Sequence, residues 1–392
     1  MKLPQKRKSK KMNHCSLLIK NGHVYDPSGT FDQVTDIAVC GNKIAGIGQF
    51  NGSGAKEIDA KGCFVVPGLI DLHMHMYPYS DVGVIPDLMC LPNGVTSACD
   101  GGSAGWGNYE FHRYYAHLRK VTVKNFINCS GAGLSVHGFP DQMNLNLMDG
   151  KGKDKLRGLF EEYRDELAGI KLLIRPQSML DYGEEPLTAA LEMAEELHTI
   201  LMIHISGTTI PLRRLASLVR PGDILTHCFN NNGMTILDEN GQVLSEVWEA
   251  RKRGVIFDVG NARKHFSFSV AQKAFAQGFL PNTISTDTTI LGAYKKPEMC
   301  CLPWVMSKFL AMGMTIEQVL NCCTRAPAAA VHFSQSAGSL HVGGQADIAI
   351  LKVLDKPTTF ADSEGNSVTG SNLIKPIATV KNGELLWRDI EY

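Results

Sequence analysis

The sequence predicts an α/β protein, a (β/α)8 barrel of the TIM type joined to a small β-sandwich domain. Eight short apolar runs, most of them separated by helix-like stretches, occupy the middle of the chain. Segments that alternate apolar and polar residues occupy both ends. The 392 residues suffice for a barrel, which takes about 250 residues, and a smaller second domain.

The first residues, 1–13, are strongly basic ("MKLPQKRKSKKMN") and are predicted to be a disordered leader. Such a run is also typical of a nuclear-localisation or nucleic-acid patch. It could equally be sequence upstream of a start at Met12. The segment that follows is too short and polar for a signal-peptide core, and we favour the leader.

The small domain is predicted to combine residues 14–66 and 339–392. Phrases such as "SLLIKNGHVYDP" and "VTDIAVCGNKIAGIG" have strand periodicity with turn residues between them, and "ADIAILKV" and "ATVKNGELLWR" repeat that texture near the other end. Strand-rich segments on both sides of the barrel indicate one β domain assembled from both. The polar stretch "FADSEGNSVTGSN" is predicted to be a loop.

Residues 67–338 are predicted to form the barrel. Its strands are "LIDLHMH", "GVTSACDGG", "NFINCSGAGL", "GIKLLIRP", "LMIHI", "ILTHCF", "VIFDVG" and "TISTD". Strands that are apolar throughout and alternate with helices are typical of a parallel sheet covered on both faces. "GGSAGWG" after the second strand is interpreted as a tight turn, because it lacks the Lys-Ser/Thr of a phosphate-binding loop.

Six of the ionisable residues in these apolar strands are interpreted as one set. In a (β/α)8 barrel the chemistry lies at the carboxyl ends of the strands, so these residues are expected to converge if the barrel closes. A His-x-His pair alone is often only a pair of half-buried histidines, but the ordered set indicates a site. Its members are His73, His75, Lys171, His204, His227 and Asp287.

The chemistry of this set favours a metal centre. Four imidazoles and one carboxylate are the ligands that zinc or a similar divalent ion prefers. A charged lysine would repel a cation, but burial and neighbouring cations lower the pKa of its amine. A neutral Lys171 could react with carbon dioxide and become a carbamate, an anionic ligand able to bridge two ions.

The set resembles the amidohydrolase superfamily. Several phrases resemble its amidohydrolase/deacetylase branch, related to dihydroorotases and D-aminoacylases: "PGLIDLHMH", "GVTSACDGGSAG", "GIK", "LMIHI", "RPGDILTHCFN", "GVIFDVG", "FSFSVA", "ISTD" and "MSKFLAMGM". The resemblance extends from Ser16 onward. It implies two divalent metal ions, zinc by expectation, with His73, His75 and Asp287 on one ion and His204 and His227 on the other, bridged by carboxylated Lys171.

The resemblance also implies a reaction. A hydroxide shared by the metals would attack an amide or an acyl ester, and Asp287 would pass the proton to the leaving group. A cyclic amidase of the dihydroorotase or hydantoinase kind is the alternative hydrolase. A catalytically inactive barrel that serves as a scaffold is a further alternative, although such proteins usually lose metal ligands and all six are present here.

The sequence departs from the branch near the expected substrate. Leu173 replaces the usual Arg two residues after the lysine, and "GNARKHFSF" replaces a glycine- and histidine-containing turn. Arg175 shares strand parity with Lys171, and its planar fork matches a carboxylate. We therefore expect Arg175 to bind the carboxylate of an N-acyl amino acid or O-acyl hydroxy acid, with Arg263 and His265 as alternatives. A structural salt bridge of Arg175 is the competing interpretation.

Composition bounds the partners. Lys+Arg and Asp+Glu both number 39, which argues against a nucleic-acid partner. No apolar run approaches the ~20 residues that span a bilayer. Eleven cysteines without a C-x-x-C motif indicate reduced, cytosolic thiols. The expected partner is a small acylated molecule, with a homo-oligomer also considered.

Of the remaining histidines, His112, His117 and His198 are expected to be surface or packing residues, and His137 could reach the barrel mouth.

Overall fold

The computed structural model describes residues 15–50, 54–77, 80, 82–116, 119–134, 150–179, 182–334 and 336–392. The predicted leader, His117 and His137 lie outside the described residues. The helices that are described vary from one to four turns and mostly connect consecutive strands of a parallel sheet. In the part of the chain that is described, no helix is both long and apolar enough to cross a bilayer.

The strands are β1 (Leu17–Tyr25), β2 (Asp32–Cys40), β3 (Lys43–Gly48), β4 (Glu57–Asp59), β5 (Phe64–Pro67), β6 (Leu69–Met74), β7 (Val95–Asp100), β8 (Thr122–Asn128), β9 (Leu167–Leu173), β10 (Ile200–His204), β11 (Ile224–Thr226), β12 (Ile256–Asp258), β13 (Ile348–Ala361), β14 (Ser367–Lys381) and β15 (Glu384–Arg388).

The α-helices are α1 (Pro86–Cys90), α2 (Tyr109–Ala116), α3 (Gly150–Glu162), α4 (Pro176–Met179), α5 (Glu185–Glu196), α6 (Leu212–Leu218), α7 (Ser245–Arg253), α8 (Phe268–Ala276), α9 (Ile290–Lys295), α10 (Leu302–Ala311), α11 (Ile316–Cys322) and α12 (Arg325–Ala330).

Seven of the eight predicted barrel strands, β6 to β12, form one parallel sheet in the order of the chain. The eighth run, residues 283–287, forms no strand of its own. Thr283 makes a single parallel bridge to Asp258 of β12, and Thr288 makes another to Met74 of β6. This short segment therefore touches both edges of the sheet.

A buried cluster shows how strongly the parallel sheet curves. Six neighbouring strands each contribute one side chain to it: Leu72, Cys99, Phe126, Ala168, Met202 and Ile224. Side chains from strands this far apart meet only when the sheet bends toward a barrel. Met202 also contacts the amine of Lys171, with 3.3 Å between Sδ and Nζ. The cluster therefore adjoins the predicted ligands.

The strands from the two ends of the chain form one mixed sheet, in the order β15-β14-β13-β5-β1-β2-β3, with β4 also paired to β1. The prediction was a sandwich of two sheets. The strands pair into one sheet with two different buried faces: Ile348 and Ile350 pack against other strands of this sheet, whereas Ala349 and Leu351 join the core that surrounds the parallel sheet. Alternation alone does not show what covers each face, and the sandwich stays a prediction.

The predicted loop "FADSEGNSVTGSN" is also corrected. β13 continues to Ala361 and β14 begins at Ser367, so only a short turn separates two long paired strands. The paired strands β13 and β14 form a ribbon that is polar because much of it is exposed. Backbone hydrogen bonds between the two strands hold it together, so it lacks the hydrophobic pattern from which strands are predicted. The turn between β13 and β14 reaches the segment between β12 and α8, where Ser363 Oγ donates to the carbonyl oxygen of Phe266 at 2.7 Å.

Candidate metal centre

The structure brings all six predicted ligands to one place. They line a cavity of about 130 Å³ at the carboxyl ends of the parallel strands. Main-chain pairing sets this arrangement, because the Asp287 amide donates to the His73 carbonyl oxygen at 2.7 Å and the His75 amide donates to Thr288 at 2.9 Å. The segment that lacks regular strand structure is thus held against the end of β6.

Asp287 lies between histidines from two strands. Its Oδ1 is 3.1 Å from His75 Nε2 and 3.5 Å from His73 Nε2, and its Oδ2 is 3.9 Å from His227 Nε2. Burial raises the pKa of Asp287, but the attraction of His73 and His75 outweighs it and holds that pKa below its usual value. The carboxyl group is therefore an anion facing imidazoles.

Hydrogen bonds assign the nitrogens of two other histidines. His227 Nδ1 is 2.8 Å from the Gly260 carbonyl oxygen, and His204 Nε2 is 3.0 Å from the Ser206 carbonyl oxygen. A carbonyl oxygen only accepts, so these nitrogens carry the protons. The other nitrogens, His227 Nε2 and His204 Nδ1, therefore each carry a lone pair. Burial lowers the pKa of both imidazoles well below the usual value. Both rings are neutral, as metal ligands must be.

Lys171 extends from β9 into the same cavity and is buried. Its Nζ lies 3.2 Å from His73 Nε2. Burial lowers the pKa of Lys171 to about 8, opposed by the attraction of Asp287. A substantial fraction of the amine is consequently neutral near physiological pH.

The turn after β7 leaves room for two of these side chains. A Cβ on Gly101 would lie 2.2 Å from Cδ2 of His73, and a Cβ on Gly102 would lie 2.7 Å from Cγ of Lys171. Real Cβ atoms do not approach other atoms so closely, so both positions require glycine. The turn predicted from "GGSAGWG" thus has a second role, which its local sequence does not reveal.

Two observations fit this donor set to a divalent cation. Asp287 Oδ1 is buried and accepts no hydrogen bond from the described residues, although two imidazole nitrogens face it. One donor atom each from His73, His227 and Asp287 lie within 4.8 Å of one another, and so do donor atoms of His204, His227 and His265. Convergent imidazole lone pairs beside an unsatisfied carboxylate are the arrangement that zinc-like ions satisfy.

The three predicted substrate contacts differ in position. Arg175, half-buried just after β9, lines the cavity beside Leu173. His265 also lines it, and its ring centre is 4.3 Å from that of His227. Arg263 lies on the same loop as His265 but is not among the residues that line the cavity. Of the other histidines, His112 is buried and His198 is exposed.

Sequence analysis missed the residues that support the ligands. Asp258, at the end of β12, accepts hydrogen bonds from Thr226, Thr283 and Ser285. Asp100, at the end of β7, accepts from the main chain of Met76 at 2.7 Å. Both are ionisable residues in apolar strands, the criterion that identified the ligands, so the signal was present and was not applied to them.

The comparisons with known proteins agree with this geometry. The sequence model of the amidohydrolase family matches residues 133–386. A deacetylase of Enterococcus faecalis is 30% identical over 379 residues, which cover 94% of this chain and 98% of the relative.

Two solved structures are similar over nearly the whole chain, each at 28% identity. The crystal structure of an adenine deaminase has a TM-score of 0.86 and covers 96% of this chain and 100% of its own. That of a dihydroorotase has a TM-score of 0.85, with 95% and 98% covered. The family match spans more than half of the chain and the relative matches almost end to end. The chain therefore belongs to the amidohydrolase family and is a metal-dependent hydrolase.

Proposed function

We propose that this enzyme uses two divalent metal ions, zinc by preference, to remove the acyl group from an N-acyl amino acid or an O-acyl hydroxy acid. The observation that carries the proposal is the position of Asp287, whose buried Oδ1 faces His73 and His75 and accepts no hydrogen bond from the described residues. The deacetylase relative supports the choice of an acyl group.

The residues would divide between the two ions as the family resemblance implies. His73, His75 and Asp287 would hold one ion, and His204 and His227 the other. Bound divalent cations supply two kinds of chemistry, since they lower the pKa of water and polarise a carbonyl oxygen.

Lys171 would join the two halves as a carbamate. Its amine is adjacent to His73 and its pKa is lowered to about 8, so the neutral form that reacts with carbon dioxide is accessible. The N–C bond forms from the amine lone pair and carbon dioxide, and the amine loses one proton. The product is an anion, which removes the conflict between a lysine and a cation site.

Asp287 and Arg175 would act on the substrate. Asp287 is a carboxylate at the centre of the site, beside His73 and His75, where it would take a proton from water and return it to the leaving amine or alkoxide. Arg175 stands at the wall of the cavity, and its guanidinium can form two parallel hydrogen bonds with a carboxylate. That contact would select acylated acids over neutral amides.

The direct test combines metal content with a substrate panel. Zinc-loaded protein prepared with bicarbonate should contain two ions and hydrolyse N-acetyl amino acids or O-acetyl hydroxy acids. The panel should include a hydantoin, dihydroorotate and adenine, because a dihydroorotase and an adenine deaminase share this fold closely. Ring opening without deacylation would establish the cyclic amidase instead, and protein without metal after reconstitution would refute the proposal.

The carboxylate clamp is tested by comparing an N-acyl amino acid with its neutral amide, in wild type and in Arg175→Met. Wild type should prefer the free acid, and the variant should lose most of that preference. An unchanged preference would transfer the clamp to Arg263 or His265. Absence of a preference in wild type would remove the carboxylate from the substrate.

The finer predictions about the fold are part of this proposal. We propose that residues 283–288 occupy the eighth strand position of a closed barrel, supported by the bridges of Thr283 and Thr288 to the two edge strands. The domain boundaries at residues 66/67 and 338/339, a cytoplasmic location and assembly into a homo-oligomer stay predictions.

A further inference from the structure

We propose that His265 is a third protein imidazole for the ion held by His204 and His227. The inference rests on the proposed two-metal function and adds a ligand to it. It reassigns a residue that sequence analysis placed with the substrate. The observations that carry it are the packing of three rings, the hydrogen bonds that orient them and the support of the loop that bears His265.

The three rings form one closed contact. The ring centres of His204 and His227 are 4.4 Å apart, those of His227 and His265 are 4.3 Å apart, and those of His204 and His265 are 5.0 Å apart. One nitrogen from each ring lies within 4.8 Å of the other two. Zinc binds histidine nitrogen at about 2.0–2.1 Å, so two of its nitrogen ligands lie at most about 4.2 Å apart. A pair near the 4.8 Å limit would close by a few tenths of an ångström when the ion binds.

Ser206 orients two of the three rings. Its carbonyl oxygen lies 3.0 Å from His204 Nε2, and its hydroxyl oxygen lies 2.8 Å from His265 Nδ1. These contacts direct His204 Nδ1 and His265 Nε2 away from Ser206. Metal-binding histidines characteristically engage their second nitrogen in this way, which sets the tautomer and the ring orientation.

The loop between β12 and α8 is held on both sides of His265. Before it, the amides of Asn261 and Ala262 donate to Ser285 and Thr286 at 3.0 and 2.8 Å. Ala262 adopts a left-handed conformation, with φ of 43°, which is costly for a residue with a Cβ unless its surroundings enforce it. The segment is therefore tied to the strand position that carries Asp287.

After His265, the turn of the β13–β14 ribbon supports the loop. The Phe266 carbonyl oxygen accepts from both the amide and the hydroxyl of Ser363, at 3.0 and 2.7 Å. The amide of Phe268 donates to Asp362 at 3.0 Å, and Ser267 Oγ donates to Glu364 at 2.5 Å. A metal ligand must be held in place before the ion binds, and these hydrogen bonds supply that support to the loop.

The test measures metal affinity, which does not depend on the substrate. Wild type, His265→Ala and Lys264→Ala are loaded with cobalt(II) and bicarbonate. Bound ions are counted by elemental analysis after equilibration with graded chelator, and the visible spectrum of the cobalt is recorded. Lys264 is the matched control because it is the exposed neighbour on the same loop. Ser206→Ala, which keeps the carbonyl bonded to His204, is the milder second variant should His265→Ala fail to fold.

Wild type and Lys264→Ala should retain two ions with the same affinities. His265→Ala should retain one ion and bind the second at least about 10- to 100-fold more weakly, the range known for partners that only orient ligands. Its cobalt spectrum should also change. Ser206→Ala should weaken the binding of the same ion by a factor within the same range.

The inference would be overturned if both His265→Ala and Ser206→Ala bound two ions with unchanged affinities and an unchanged cobalt spectrum. In that case, a raised KM in His265→Ala would make His265 a substrate contact. Wild type that binds no metal would instead refute the proposed function.

Discussion

Thr226 Oγ1 donates a hydrogen bond of 2.7 Å to Asp258 Oδ2, and the same oxygen lies 3.0 Å from His73 Nδ1. A hydroxyl has one proton, and Asp258 receives it. Thr226 must therefore accept from His73, so the proton of this imidazole resides on Nδ1. His73 Nε2 is left with its lone pair, 3.2 Å from Lys171 Nζ and 3.5 Å from Asp287 Oδ1. Asp258 thus determines, through one hydroxyl, which nitrogen of His73 is available to a metal.

Thr226→Val removes this hydroxyl with little change of shape. We expect metal affinity to fall by about 10- to 100-fold, the usual effect of losing a partner that orients a ligand. Thr283→Val is the matched control, because Thr283 also donates a hydrogen bond of 2.7 Å to Asp258, but to the other carboxylate oxygen, Oδ1. Chelator competition measures the metal affinity of both variants. Equal losses of affinity would show that each variant acts by loosening the Asp258 side chain and not through the proton of His73.

Lys171→Ala should lose metal and activity together, because the variant has no amine to form the bridging anion. Short carboxylic acids added with zinc should restore part of both, since they supply an anion to the vacated space. In wild type, a carbamate carbon signal should appear by NMR after loading with ¹³C-bicarbonate. A variant that binds two ions and turns over normally would disprove the bridge.

Asp287→Asn keeps the size of the side chain but cannot accept a proton. The rate should fall by roughly 10²- to 10⁴-fold, the usual contribution of general acid–base catalysis. Metal content must be measured in the same preparation, since Asp287 is also a proposed ligand. A variant with full metal content and a near-normal rate would assign the proton transfer to another group.

Gly101→Ala should disturb the metal centre from outside it. The added Cβ would lie 2.2 Å from Cδ2 of His73, so the imidazole must move and metal affinity should fall. Gly158→Ala is the contrasting substitution. Gly158 is an exposed residue of α3, and a Cβ at this position would have no neighbouring atom within 4 Å. It should raise the free energy of unfolding by up to about 1 kcal/mol and leave metal binding unchanged. Thermal unfolding and metal titration of both variants distinguish the two outcomes.

His112 should make stability depend on pH. It is packed against Tyr77, and burial lowers its pKa to about 4 from an ordinary value of 6.5. The unfolded chain therefore binds a proton between these values while the folded protein does not. Unfolding becomes easier as the pH falls through this window, and the contribution is complete above it.

The contribution of His112 between pH 7 and pH 5 is about 2 kcal/mol by this linkage. Denaturant unfolding of the metal-free protein at both values should show a smaller decrease for His112→Gln than for wild type. The other buried histidines are common to both proteins and cancel in the difference. Identical decreases would mean that His112 is protonated at the same pH in the folded and the unfolded chain.

The parallel strands and the ligand positions could be predicted because both depend on local patterns. Apolar runs mark strands that are buried on both faces, and a histidine or lysine in such a run, as at His204 and Lys171, is too costly to be incidental. The same reasoning places these side chains at the carboxyl ends of β9 and β10.

Other features depend on contacts between distant segments. The partners of Asp258 come from β11 and from residues 283–285, and no spacing near Asp258 indicates them. The ribbon of β13 and β14 lacks a hydrophobic pattern because cross-strand hydrogen bonds hold it. The position of His265 beside His227 depends on the left-handed turn at Ala262, which sequence periodicity does not encode.

The joining of distant segments in the small sheet has a consequence for synthesis on the ribosome. β5 pairs with β1 on one side, but its other neighbour, β13, is translated only after the entire parallel sheet. The Asp362–Glu364 turn that holds Phe266 and Phe268 emerges later still. A nascent chain can therefore bring His73 and Asp287 together before the loop that carries His265 has its support. On the proposed function, the imidazoles of His204, His227 and His265 would be fixed together only when nearly all of the described chain has been translated.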